Sequence, residues 1–191
     1  SEIGAHILSG AVVDPKALDE LLPDWRTQDC PMAETPVIDN WHWFLTKGGK
    51  MPIPHILMPP YMSNEGKYTG SLGNLCRWLA GKAEELGVEI FPGFPAAEIL
   101  HDDKGAVRGV ATGDMGVAKD GSHKGDYQPG MELTAKYTIF CEGARGSLTK
   151  RLKDKYDLER DCQPQKYGLG MKELWDIDPA KHVPGRVIHT Q

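Results

Sequence analysis

The chain of 191 residues carries 22 basic and 27 acidic side chains, a net charge of -5, with 40% hydrophobic residues. That is a globular balance, long enough to bury a core as one large domain or two small ones. An acidic chain with no basic run and no interleaved basic and aromatic residues lacks the footprint that phosphate-backbone binding requires, which excludes nucleic acid as a partner, and no run of eighteen apolar residues is present to cross a membrane.

In chain order, "SGAVVDP" leads into "DPKALDELLPDW", where Asp14 suits a helix N-cap, Pro15 the first helical position and Pro23 a stop. Ala17, Leu18, Leu21 and Leu22 then share one face, a stripe that either packs on a core or dips into lipid. "WHWF" (residues 41–44) reads as a strand whose aromatic side chains belong to a core. "MPIPHILMPPYM" is too rich in proline for continuous helix. Its methionines suit an apolar channel for a flexible tail, and equally a stiff surface crossing, so His55 receives no role.

"SLGNLCRWLAGKAEELG" is the clearest helix: Leu72, Leu75, Leu79 and Leu86 recur at helical spacing, Ser71 caps the start and Gly87 stops it. A strand is expected at "VEIFPG", then two more over residues 96–101 and 106–112, joined by the turn Asp102-Asp103-Lys104-Gly105. A polar loop from Asp114 to Gly130 interrupts them. The run from Met131 to Cys141 reads as a buried strand that ends at Glu142-Gly143-Ala144-Arg145-Gly146 and enters the helix "GSLTKRLKDKYDL". "KYGLGMKELWDI" reads as a final strand, followed by the strand-like "GRVIHTQ".

The glycines at 143 and 146 allow close approach of a ligand to backbone, and the helix that follows offers free N–H groups to a phosphate or a sugar hydroxyl; a plain strand-to-helix turn would use the same residues. Cys30, Cys76, Cys141 and Cys162 lie far apart with no C-x-x-C pair and no histidine at metal spacing, so no metal site is expected among them. Helix, strand, antiparallel meander, strand and glycine turn make an α/β (α+β) order, the one that follows the first βαβ unit in folds binding flavin adenine dinucleotide (FAD). The G-x-G-x-x-G run of such a site is missing, and Ser1 and Gln191 look like cut ends, so an interior piece of a longer protein is expected.

The Glu142-Gly143 turn resembles the Asp-Gly motif of flavin hydroxylases, with Glu in place of Asp and with Ser147 and Arg151 shifted from that pattern. Taken together, "GAHILSGAVVDPKALDELLPDW", "YTGSLGNLCRWLAGKAEELGVEIFPGFPAAEIL", "GVATGDMGVAKDGSHKGDYQPGMELTAKYTIFCEGARGSLTKRL" and "YGLGMKELWDID" resemble the electron-transfer flavoprotein:ubiquinone oxidoreductase family, its bacterial members more than its mitochondrial ones. The resemblance implies a FAD-binding fold of the hydroxylase and geranylgeranyl-reductase type, incomplete here. Residues 1–50 and 67–158 would belong to the FAD domain, and 51–66 with 159–191 to the quinone-binding domain. It implies electron transfer from reduced electron-transfer flavoprotein, through a [4Fe-4S] cluster whose ligands lie outside this chain and through FAD, to ubiquinone.

On the same grounds Gly10 and Ala11 are candidates for contacts to the flavin ring. Glu142, Gly143, Ala144, Arg145 and Gly146 are candidates for its ribityl or pyrophosphate part. Leu18, Leu21 and Leu22 are expected to touch the membrane in a monotopic protein on the cytoplasmic face of a bacterial inner membrane, or the matrix face of a mitochondrial one. No catalytic residue is named. A geranylgeranyl-reductase-like or hydroxylase-like flavoenzyme acting on an isoprenoid or aromatic substrate stands as the alternative.

Overall fold

The computed structural model describes residues 2–7 and 10–191. In chain order the elements are β1 (Gly10–Val13), α1 (Lys16–Leu21), β2 (Asp39–Thr46), β3 (Gly49–Pro52), β4 (Tyr68–Ser71), α2 (Leu72–Glu85), β5 (Ala96–His101), β6 (Val107–Thr112), β7 (Met115–Val117), β8 (His123–Gln128), β9 (Glu132–Thr134), α3 (Ser147–Tyr156) and β10 (Arg186–Thr190), with short 3-10 turns between some of them. The fold is mixed α/β with mainly antiparallel pairing and no barrel among the described residues. The chain divides into two compact units, residues 1–92 with 170–191, and residues 93–169.

The first unit is built around α1 and α2. Leu18, Trp25, Cys30, Met32 and Leu75 form its core, and Val13, Leu22, Tyr68, Leu72, Trp78 and Leu79 pack against them. Asp14 accepts a hydrogen bond from the Lys16 amide just ahead of α1, but the N-cap position is taken by Pro15, one residue later than the sequence suggests. Trp25 is fully buried, and its indole N–H is satisfied by Asp19, while Arg26 lies over its ring at 4.4 Å and donates to Tyr68. Ser71 accepts from the Asn74 amide at the start of α2, and Gly87 takes a left-handed φ of 86° after its end.

β1 pairs antiparallel with β4. In a second sheet of this unit β10 runs parallel to β2, with Arg186 opposite Asp39 and an ion pair between them, and β3 returns antiparallel. Gly185 is required just before β10, since at φ 72° a Cβ would stand 2.1 Å from the Pro36 carbonyl oxygen.

In the second unit β5, β6 and β9 form the expected antiparallel meander, with α3 packed on β5. Asp102 shapes the β5–β6 turn by accepting from the amides of Lys104 and Ala106, and Gly105 has φ 81°. Gly109 is a close-approach site: a Cβ there would fall 2.0 Å from the Leu133 carbonyl oxygen.

Several expectations are corrected. The polar stretch from Asp114 to Gly130 contains a hairpin, β7 with β8, that carries no apolar pattern because most of its side chains face solvent. "VEIFPG" forms no strand. The expected strand from Met131 to Cys141 keeps ladder bonds only over β9, and Tyr137 and Ile139 are exposed beyond it. "KYGLGMKELWDI" has no regular structure and exposes Leu169, Met171 and Trp175. Both segments have strand-forming side chains, but no described strand pairs with them, and a ladder is what stabilises an extended chain. In "WHWF" the buried side chain is His42, whereas Trp41 and Phe44 are exposed.

Candidate functional site

The glycine turn lies in the second unit, at the entry to α3. Gly143 has φ 75°, and an added Cβ would meet no atom within 4 Å, so its backbone is bare and open. Ala144 and Arg145 beside it are exposed, and the Arg145 guanidinium sits 5.6 Å from the Tyr167 ring.

Glu142 does something the sequence reading did not anticipate. Its carboxylate accepts from the amides of Leu148 at 3.2 Å and Thr149 at 2.7 Å, and from the Thr149 hydroxyl at 2.7 Å. These hydrogen bonds, with Thr149 contributing most, hold the carboxyl below its ordinary value of 4.5. The positive end of α3 therefore already has its anion. Gly146 is buried against that same side chain, where a Cβ would meet Glu142 Cβ at 2.4 Å. The chain's own carboxylate thus lies at the first turn of α3, the place where the sequence suggested a phosphate or a sugar hydroxyl.

Gly10 and Ala11 lie in the first unit, on β1, opposite Ser71 and Gly70 of β4. Gly10 is exposed and Ala11 half-buried. The two groups of candidate residues thus fall in different units.

The leucine stripe is not presented outward as a set. Leu18 fills the core and Leu22 packs against it, leaving Leu21, 76% exposed, as the one that faces out. Apolar surface is concentrated elsewhere in the same unit. The β2–β3 hairpin exposes Phe44, Leu45 and Met51, and the proline-rich arm after it exposes Ile56 (92%), Leu57 and Tyr61 (81%). Lys47 stands in the hairpin's turn and Lys50 on β3 beside it, with the Lys50 ammonium 3.6 Å from the Trp43 ring.

Under this hairpin three imidazoles gather from three segments. His189 of β10 stacks on His42 at 4.7 Å, and His55 of the arm meets it edge-on at 5.2 Å. His55 pairs with the Asn40 carbonyl oxygen at 2.9 Å and His189 with the Asn64 amide at 2.8 Å. Sequence reasoning missed this cluster, because residue 189 reaches residue 42 only through the parallel β2–β10 pairing, and residue 55 arrives with the arm after β3.

Cys30 is buried, Cys76 half-buried, and Cys141 and Cys162 exposed, all as free thiols. Among the described residues no three His, Cys, Asp or Glu side chains are arranged to hold a metal ion, and no helix is long and apolar enough to cross a membrane.

No family model matches the chain. Over 190 residues it is 54% identical to the probable electron transfer flavoprotein-ubiquinone oxidoreductase of Acinetobacter baylyi. It is 55% identical over 192 residues to the electron transfer flavoprotein-ubiquinone oxidoreductase of Pseudomonas aeruginosa, and 54% identical over 190 residues to the mitochondrial protein of that name from Dictyostelium discoideum. These alignments take in 99% to 100% of the chain but only 31% to 35% of each relative, so the chain spans about a third of the length of the curated relatives it matches.

Proposed function

We propose that this chain, homologous over its whole length to the electron transfer flavoprotein-ubiquinone oxidoreductases, works within an enzyme that passes electrons from reduced electron-transfer flavoprotein to ubiquinone at a membrane surface. The observation that carries the reading is the identity of 54% to 55% to proteins of that name over 99% to 100% of the chain.

In this reading FAD is the cofactor, bound by a fold of the hydroxylase and geranylgeranyl-reductase type. Its fit divides at the glycine turn. Bare backbone at Gly143, with Ala144 and Arg145 exposed beside it, suits a hydroxyl-bearing part of the dinucleotide, and Gly10 and Ala11 on β1 suit an edge of the flavin ring. A phosphate at the first turn of α3 does not fit, because Glu142 is there. Glu142 and Gly146 are thereby residues that hold the turn rather than touch the cofactor. When bound, the flavin supplies the electron chemistry, and this chain's residues place it. Among the described residues no three His, Cys, Asp or Glu side chains are arranged to hold a metal, so the residues present do not fit a [4Fe-4S] cluster.

Membrane contact is assigned to the β2–β3 hairpin and the arm after it, with Leu21 the one leucine of the α1 stripe exposed enough to contribute. Exposed apolar side chains supply the burial, and Lys47 and Lys50 suit anionic headgroups. Residues 51–66 and 159–191 are assigned to the quinone-binding domain, and the protein to the cytoplasmic face of a bacterial inner membrane or the matrix face of a mitochondrial one. The test is anaerobic mixing of the full-length protein with reduced electron-transfer flavoprotein and a short-chain ubiquinone. The reading expects loss of quinone absorbance at one quinol per two electrons; a flavin-loaded protein that leaves the quinone oxidised overturns it.

A further inference from the structure

His42 is only 3% exposed, yet neither ring nitrogen has a hydrogen-bond partner among the described residues. Two unpaired polar atoms in a buried ring are costly, and a ring in that state is tolerated only while it stays neutral. The neighbouring imidazoles are tied down: His55 pairs with the Asn40 carbonyl oxygen and His189 with the Asn64 amide.

What covers His42 is the proline-rich arm. The Ile53 amide donates to the His42 carbonyl oxygen at 2.8 Å, and His55, in the 3-10 turn His55–Leu57, meets the ring edge-on at 5.2 Å. His189 of β10 stacks on it at 4.7 Å. Two clefts, both open to solvent, border the ring. One, of about 150 Å3, runs between Met58 and Met62 of the arm and Thr190 and Gln191 at the end of β10, which make it partly polar. The other, of about 240 Å3, passes Asn40, Trp41 and Pro54. Solvent thus reaches the margin of a ring whose own nitrogens are covered.

We propose that the seat of the arm on β2 is a pH-operated latch, in which a proton entering at His42 releases residues 53–62 together with the exposed Ile56, Leu57 and Tyr61 they carry. The latch is independent of what the arm touches, so it stands or falls apart from the quinone-reductase and membrane readings above. An imidazolium has two N–H donors to satisfy, and the closed site offers an acceptor to neither. Swinging the arm away is the way to bring water to both.

No neighbouring charge compensates a proton there. His189 faces the ring from β10 and His55 from the arm. Asp39, on the same strand as His42 and lining the larger cleft with it, is paired to Arg186 of β10. Glu65 lines a different cleft, with His55, and Lys50 of β3 lies on the Trp43 ring. Burial, and then His189 and His55, hold the proton affinity of His42 below its ordinary value of 6.5 in the closed state, and release restores it. The latch is therefore fully present above pH 6.5 and is lost as pH falls below that towards the closed-state value. Because release takes up one proton, the ratio of open to closed arm rises by up to about tenfold for each pH unit in that window.

The experiment is amide hydrogen exchange of the full-length protein across the histidine range, with each protection factor corrected for the intrinsic pH dependence of exchange. The Ile53 amide, bonded to the His42 carbonyl, reads the latch, and the Thr69 amide, bonded to the Thr35 carbonyl, is the control. Ile53 protection is expected to be level above pH 6.5 and to fall about tenfold per pH unit below it, while Thr69 protection holds. His42→Phe puts in a ring that takes no proton, and its Ile53 profile should be flat. Wild-type protection at Ile53 that ignores pH, or a His42→Phe protein that loses it over the same range, overturns the latch. If His42→Phe does not fold, the His42 imidazole resonances of histidine-labelled wild type decide: a ring still neutral at pH 6.5 supports the latch, and one half-protonated there with the arm closed overturns it.

Discussion

Replacing Leu18 with alanine tests how α1 is used. The side chain is 7% exposed and packs in one cluster with Trp25, Cys30, Met32 and Leu75. Truncating a buried leucine costs about 2–5 kcal/mol, and because α1 is only six residues long and can settle into the space, about 3 kcal/mol is expected. With a urea slope of about 2 kcal/mol/M, the unfolding midpoint should fall by roughly 1.5 M. Trp25, fully buried in the same cluster, supplies the fluorescence signal. Leu21→Ala, at a position 76% exposed, should shift stability by no more than about 0.5 kcal/mol. Equal midpoints for the two variants, or a Leu18→Ala protein that keeps its stability and loses only membrane binding, would refute the assignment of Leu18 to the core.

The other expectations concern the hairpin, the α3 cap and the meander. Ile56→Ser with Leu57→Ser removes two exposed apolar side chains from the arm, each worth roughly 1.5 kcal/mol or more when buried, so vesicle partitioning of the full-length protein should weaken about 10²-fold; unchanged flotation removes the arm from the membrane contact. The Glu142 carboxyl is held below 4.5 in the folded chain, so its capping contribution is fully present above that value and is lost as pH falls through the lower folded one. Amide exchange at Leu148 and Thr149 should accelerate over that acid range in the wild type, and Glu142→Gln should abolish the pH dependence; identical profiles would contradict the cap. Gly109→Ala drives a Cβ into the Leu133 carbonyl and should cost roughly 1–3 kcal/mol with loss of exchange protection at β9; retained protection there would contradict the close approach.

The elements legible from the sequence are those whose cause is local. α2 is announced by its leucine spacing, Ser71 and Gly87, and the β5–β6 hairpin by Asp102 and Gly105, each of which makes the bond or φ its type suggests. What stayed hidden depends on partners distant in sequence. Residues 137–141 and 166–177 have strand composition without a described ladder partner, and which face of β2 is buried follows from β10, more than 140 residues away, so the tryptophans were assigned inside where His42 is. At the turn, the openness of Gly143 was legible from glycine itself. The role of Glu142 was not, because a carboxylate before a helix reads alike whether it meets a ligand or the helix's own amides.

The account depends most on a cofactor resting against the open backbone at Gly143. Flavin content of the purified full-length protein, measured for wild type and Gly143→Val, tests it directly, with far-ultraviolet circular dichroism and protection of α3 as controls for the fold. The account predicts a yellow wild-type protein with one FAD per chain and a variant that folds but retains less than about a tenth of the flavin. A variant that folds and keeps its full flavin would contradict it.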